Sequence, residues 1–152
     1  MKNIALPIVL AVVALGFSPA TQQEVKAHCQ VPCGIYNDKA RVAMMNEHAQ
    51  TIIKSIESIK SENINNARNV RWVITRDHHA DKIVNLVCDY FLLQRVKKTD
   101  DNYDSRLKAL HAIMLAAISV KQKPTSDAAT SLVNKINVFS NMYFKPTSDP
   151  YE

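Results

Sequence analysis

Apolar residues return every three or four positions along four stretches of the chain, and polar runs divide them. In the first stretch Val42, Met45, Ala49, Ile52, Ile56 and Ile59 fall at steps of three and four, the spacing that gathers side chains on one face of a helix. Asn37 or Asp38 stands where its cap belongs, and the polar run SENINN ends it near Lys60 or Ser61. A second stripe, within about Ala67 to Lys97, is Val70, Val73, Asp77, Ala80, Val84, Val87 and Phe91. Asp77 interrupts it, so this position lies at an end of the packed face or carries a partner. KKTDDNYD then links to a third helix bearing Leu107, Leu110, Met114 and Ala117. That helix must stop before Pro124, which lacks an N–H and disfavours a helical predecessor. Thr125 or Ser126 caps a fourth, with Ala129, Leu132, Ile136, Phe139 and Tyr143 inward, and Pro146 and Pro150 close the chain in an extended tail. Four such helices with short links predict an all-α fold: an antiparallel up-down four-helix bundle over residues 37–145, with a tail over 146–152. A bundle is a scaffold and specifies no chemistry.

Composition agrees with this reading. Among 152 residues there are only 2 Gly and 7% aromatics, too few for a strand-rich fold with many tight turns. The net charge of +5 is spread along the chain without the clustered Lys and Arg that a nucleic-acid partner requires. It favours the arrival of small anions.

Residues 1–27 do not fit the bundle. Lys2 precedes the apolar run IALPIVLAVVALGF, Ile4 to Phe17, which has the length of a signal-peptide core and is too short to span a membrane. Small residues offer cleavage after Ala20 or after Ala27. The expectation is a leader removed at Ala27, export to the periplasm or outside the cell, and no stable membrane anchor afterwards.

The nine residues HCQVPCGIY, His28 to Tyr36, hold one imidazole and two of the three cysteines. In an exported protein the ordinary reading is a Cys29–Cys33 disulfide with Cys88 left over. A bound metal would hold the thiols instead. If His28 is the mature amino terminus, an amine, an imidazole, the Cys29 amide nitrogen and the Cys29 thiolate lie within two residues. Pro32 and Gly34 allow a turn that returns the Cys33 sulfur to complete a planar set of two nitrogens and two sulfurs. Such a set suits Ni(II) or Cu(II), whereas zinc prefers a tetrahedron; the imidazole would stand free as an axial ligand. The other histidines, His48, His78, His79 and His111, are scattered and read as surface or structural. No di-iron Glu/His set, haem motif, phosphate loop or Ser-His-Asp signature is visible.

HCxxPCGxY directly after a removable leader and ahead of a four-helix bundle resembles the nickel superoxide dismutase family. Asp89-Tyr90-Phe91 also resembles a segment of that family. The resemblance implies an oxidoreductase that converts superoxide to dioxygen and hydrogen peroxide by Ni(II)/Ni(III) cycling, an antioxidant activity. It implies a homohexamer with one nickel ion per subunit. It places the ligands at the His28 amine and imidazole, the Cys29 amide nitrogen and thiolate, and the Cys33 thiolate, in a hook spanning residues 28–36. Tyr36 matches the tyrosine that covers the open face of the metal and limits access, so His28 and Tyr36 are the catalytic candidates; Tyr90 matches a second tyrosine near the substrate path.

This chain departs from the family at Gln30, where many members carry an acid, and this alters the hydrogen bonds along that path. Glu47, Arg71, Arg76 and His78 are the charged candidates for orienting His28. A Sec-like leader also differs from the short leaders of many members, which are cytoplasmic; the alternative for this chain is a cytoplasmic protein whose leader is removed by a dedicated protease. Two other readings remain. One is an exported copper- or nickel-trafficking protein without turnover. The other is a secreted interaction protein with a structural disulfide.

Overall fold

In the computed structural model, residues 34–61 and 66–144 are described. The leader, the hook residues His28, Cys29, Gln30 and Cys33, and the tail lie outside the described residues.

Helix α1, Asp38–Ser61, begins where a cap forms: Asn37 Oδ1 accepts the Ala40 N–H at 3.0 Å, satisfying one of the donors that a helix start leaves unpaired. Asn37 is therefore the cap, and Asp38 is free for another task. Helix α2, Asn66–Asn85, continues without a break as a π-helical segment, Leu86–Arg95. Helices α3, Tyr103–Gln122, and α4, Ser126–Tyr143, follow. Pro124 separates them as expected, and Thr125 caps α4 by accepting the Ala128 N–H at 3.1 Å. Every regular element among the described residues is a helix, with no strand among them.

Helix α1 packs on α2 and α4, and α3 packs on the same two. Contacts at the ends give the directions. Lys60, at the end of α1, donates to Ser126 at the start of α4 over 2.9 Å, while Tyr143, at the end of α4, donates to Asp38 over 2.8 Å. Late in α3, Lys121 meets Asp81 of α2 at 2.7 Å; early in α3, Arg106 lies over the Tyr143 ring at 4.8 Å. Neighbouring helices thus run in opposite senses.

The core takes most of the expected stripes. Val42, Met45, Ala49, Ile52 and Ile56 of α1 and Ala129, Leu132, Ile136 and Phe139 of α4 are buried. Ile59 and Tyr143, at the ends of those stripes, are only half-buried. In α3 the buried set is Leu110, Ile113, Ala116, Ala117 and Val120, with Leu107 and Met114 at its margin.

The second stripe needs correction in its first two turns. Val70 is 55% exposed and Val73 36%. The inward face there belongs to Arg76, Ala80, Ile83 and Val87. Arg76 is only 5% exposed; it pairs with Asp77 at 2.9 Å and donates to the Lys121 carbonyl at 3.4 Å. A buried arginine does not register in a search for apolar periodicity. The stripe expected through Val70 and Val73 therefore lies on the outer face as far as Ala80.

The π segment ends in a backbone bond of its wide register, from the Val96 N–H to the Phe91 carbonyl five residues back at 2.9 Å, and the Gln94 side chain donates to the Asp89 carbonyl at 2.9 Å. The wider turn lets Tyr90 and Phe91, consecutive residues, both be fully buried. Phe91 sits edge-on to Phe139 at 5.0 Å and to Tyr143 at 5.6 Å, a cluster that joins the far end of α2 to the far end of α4.

The corrected stripe can be checked by substitution. Ile83→Ala should destabilise the chain by about 2–5 kcal/mol, while Val73→Ala should stay within about 0.5 kcal/mol of the parent. Urea unfolding of the full chain reads both, and equal losses would contradict the assigned face.

Candidate active site

The chain enters the bundle through Gly34, which has φ of +85°. A Cβ there would meet no atom within 4 Å, so the requirement for glycine is one of backbone conformation. This bend directly follows Cys33, at the place where the sequence called for a turn. Tyr36 comes next, 41% exposed, and two contacts fix its ring. The Arg95 guanidinium lies over it at 4.4 Å, and the Tyr90 ring meets it edge-on at 6.1 Å.

Both contacts lead to Asp38. Arg95 donates to its carboxylate through Nε, at 2.9 and 3.1 Å to the two oxygens, and through Nη2 at 2.9 Å. This forked pairing fixes orientation as well as charge. Tyr143 donates to Oδ2 at 2.8 Å, and Tyr90 donates to Oδ1. The Tyr90 oxygen also accepts the Asn37 N–H at 2.9 Å. One carboxylate thus holds the π segment, the end of α4 and the start of α1 together. Arg106 backs Tyr143 from the other side and is itself paired with Asp100 at 2.8 Å.

These contacts set the protonation states. Burial pulls the Asp38 carboxyl upward, but the hydrogen bonds from Arg95, Tyr90 and Tyr143, with the Arg95 charge, outweigh it and hold it below its ordinary 3.8. Burial and the Asp38 carboxylate raise Tyr90 and Tyr143, so both remain neutral phenols whose protons point at Asp38. The hydrogen bond to Asp38 raises Arg95 further, against its burial. The Tyr90 hydroxyl is committed on both sides, and its ring is what it offers to its surroundings. Among the described residues the Tyr36 hydroxyl makes no hydrogen bond, so it is the phenol available to a visiting molecule.

The expected site residues divide accordingly. Tyr36 and Tyr90 stand together, ring against ring. His28, Cys29, Gln30 and Cys33 lie outside the described residues. The set they offer, an imidazole and two thiols, is the nitrogen and sulfur chemistry that suits nickel. Among the described residues no three His, Cys, Asp or Glu side chains gather to hold a metal. No described helix is long and apolar enough to cross a membrane. Of the candidates for orienting His28, Arg76 is taken up by Asp77 and the Lys121 carbonyl, and Arg71 is exposed.

Sequence reasoning missed Asp38 as a hub, together with Arg95 and Tyr143. They lie 57 and 105 residues from Asp38, and no local spacing joins them. The available hint was an acid directly after an asparagine that could already cap the helix. It also missed His48 and His79, whose Nδ1 atoms are 3.1 Å apart, because each was judged on its own helix.

Asp38 titrates below its unfolded value, so the unfolded chain binds the proton more readily and stability rises with pH through this window. The Asp38 contribution should be fully present above the unfolded value of 3.8 and fade as pH falls below it. Asp38→Asn should cost about 2 kcal/mol at neutral pH, with the gap to the parent closing in acid. Denaturant titrations of both chains across that range check it.

Among the curated proteins and the solved structures, none matches this chain. A family model does: the nickel-containing superoxide dismutase model matches residues 23–146, which include the HCQVPCGIY stretch, Tyr36, the Asp38 hub and all four helices. The chain therefore belongs to the nickel-containing superoxide dismutases, oxidoreductases that depend on nickel.

Proposed function

We propose that the mature chain begins at His28 and carries out dismutation at a nickel held by residues 28–36, with the bundle over 37–145 as its rigid base and 146–152 as a tail. The observation that carries this reading is the posture of Tyr36. It leaves the ligand-bearing segment three residues after Cys33 and is held there by Arg95 and the Tyr90 ring. The family supplies the metal, and the sequence supplies donors of the right kind next to that tyrosine.

His28 would contribute its amine and imidazole, Cys29 its amide nitrogen and thiolate, and Cys33 its thiolate. When bound, nickel supplies the one-electron cycle between Ni(II) and Ni(III) by which two superoxide anions and two protons become dioxygen and hydrogen peroxide. The remaining work belongs to side chains. The thiolates and the amide nitrogen are electron-rich donors that favour a higher oxidation state. Tyr36 presents a free hydroxyl to order water or a small anion and screens the approach, and the net positive charge of the chain draws anions in. Gln30, which cannot ionise, would offer the approaching anion a neutral amide where many family members carry an acid. Tyr90 acts through its ring and through Asp38, keeping Tyr36 in register.

The amine of His28 exists only after the bond to Ala27 is cut, so maturation and metal loading are coupled. We propose that cut, export of the mature chain to the periplasm or outside the cell, and assembly as a homohexamer with one nickel per subunit.

Two measurements test this reading. Cys29→Ser and Cys33→Ser should each abolish nickel binding, while Cys88→Ser leaves it intact; elemental analysis of the purified variants decides, and retention of nickel by either of the first two would overturn the ligand set. The uncleaved precursor, with residues 1–27 intact, should show no dismutase activity with nickel in a superoxide assay. A mature chain that binds nickel but leaves superoxide untouched would instead be a trafficking protein.

A further inference from the structure

Tyr90 also forms one wall of a groove between α1 and α2, a cavity of about 320 Å³. Arg41, His48, Lys82 and Asn85 line it with polar groups, and Met44 and Leu86 join the Tyr90 ring as its apolar walls. Asp89 is the one acid in the lining.

Arg41 is the unusual member. Its guanidinium sits 5.1 Å from the Tyr90 ring centroid. Its Nη1 reaches only the Met44 sulfur, at 3.6 Å, and its Nε is shielded from solvent with no hydrogen-bond partner. A shielded guanidinium donor without an acceptor is costly and rare. Lys82, one turn beyond His78 and His79, likewise makes no ion pair among the described residues. Three other basic groups of the bundle do have partners: Arg95 pairs with Asp38, Arg106 with Asp100, and Lys121 with Asp81. The groove therefore holds two unmatched cations against one acid.

We infer that the groove between α1 and α2 binds a small organic oxyanion, its charged end between Arg41 and Lys82 and its compact apolar body against Met44, Leu86 and the Tyr90 ring. The guanidinium fork and the ammonium provide convergent donors for a carboxylate or a phosphate monoester. The volume exceeds what a bare inorganic ion fills, and the apolar walls give the excess something to hold. The site uses no metal ligand and does not depend on the nickel reading.

The His48–His79 pair couples this site to pH. With the two Nδ1 atoms 3.1 Å apart, they cannot both carry protons toward each other. Burial, reinforced by neighbouring histidines and Lys82, lowers both from their ordinary 6.5. The charged groups around them are Arg41 and Glu47 from α1, and His78, Lys82 and Asp89 from α2 and its continuation. Glu47 favours protonation of His48, and the cations oppose it. An anion between Arg41 and Lys82 offsets the cations and favours the imidazolium, so binding takes up a proton and strengthens as pH falls.

Calorimetric titration of the full chain with benzoate, phenyl phosphate and neutral benzyl alcohol, with and without nickel, tests the assignment. At least one of the two anions should bind, the tighter one naming the preferred headgroup, and benzyl alcohol should not. Affinity should be the same with and without nickel and, for benzoate, whose charge does not change over this range, higher at about pH 6 than at about pH 8. Arg41→Gln and Lys82→Gln should each weaken binding about tenfold, with helical content by circular dichroism confirming that each variant folds. The inference is overturned if neither anion binds, if benzyl alcohol binds as well as they do, if binding requires nickel, or if both folded variants keep the parent affinity.

Discussion

The Asp38 carboxylate receives hydrogen bonds from Arg95, Tyr90 and Tyr143, and these three donors come from two elements that the chain reaches much later. The carboxylate stands in the first turn of α1, where the unpaired N–H groups of the helix also favour a negative charge. Arg95 ends the π segment, where a positive charge is favoured for the converse reason. With its side chain mostly buried, the pair would be a liability if either partner lacked its full set of bonds. Here the fork of Arg95 and the two phenols saturate the carboxylate. What results is a fixed joint at the end of the bundle where the amino-terminal segment enters.

That joint positions Tyr36. The tyrosine is near the surface and precedes α1, so without support its ring would sample many positions. Arg95 can cover that ring at 4.4 Å because Asp38 has already oriented the guanidinium. Tyr90 can meet it edge-on because its own hydroxyl is tied to Asn37 and Asp38. The π segment belongs to the same design. Its wide turn buries Tyr90 and Phe91 side by side, one toward Asp38 and the other toward Phe139, so a single segment serves both the site and the core. Irregular helix of this kind is found disproportionately at functional sites.

Much of the scaffold was legible because burial of apolar side chains on helical faces leaves a periodic trace. Helices α1 and α4 were readable from Met45 and Ile52, or from Leu132 and Phe139, together with their caps at Asn37 and Thr125. The trace fails where a polar side chain occupies the inner face, as Arg76 does, and Val70 and Val73 then suggest the wrong side. It also carries no sign of a π turn, which replaces one hydrogen-bond register with another without changing residue type. Local motifs named Tyr36 and Tyr90 as candidates, and the fold brings their rings together. Asp38, Arg95 and Tyr143 are joined only by the fold, and no spacing along the chain announces such a set.

We propose that the cut after Ala27 creates a metal ligand, and that the bundle fixes Tyr36 at the end of the segment so released. Amino-terminal sequencing of the mature chain, with metal analysis of the same sample, tests this most directly. A chain beginning at His28 with one nickel per subunit is the expected result. A nickel-loaded, active chain beginning at Thr21 would contradict it, because the His28 nitrogen would then be an amide inside the chain.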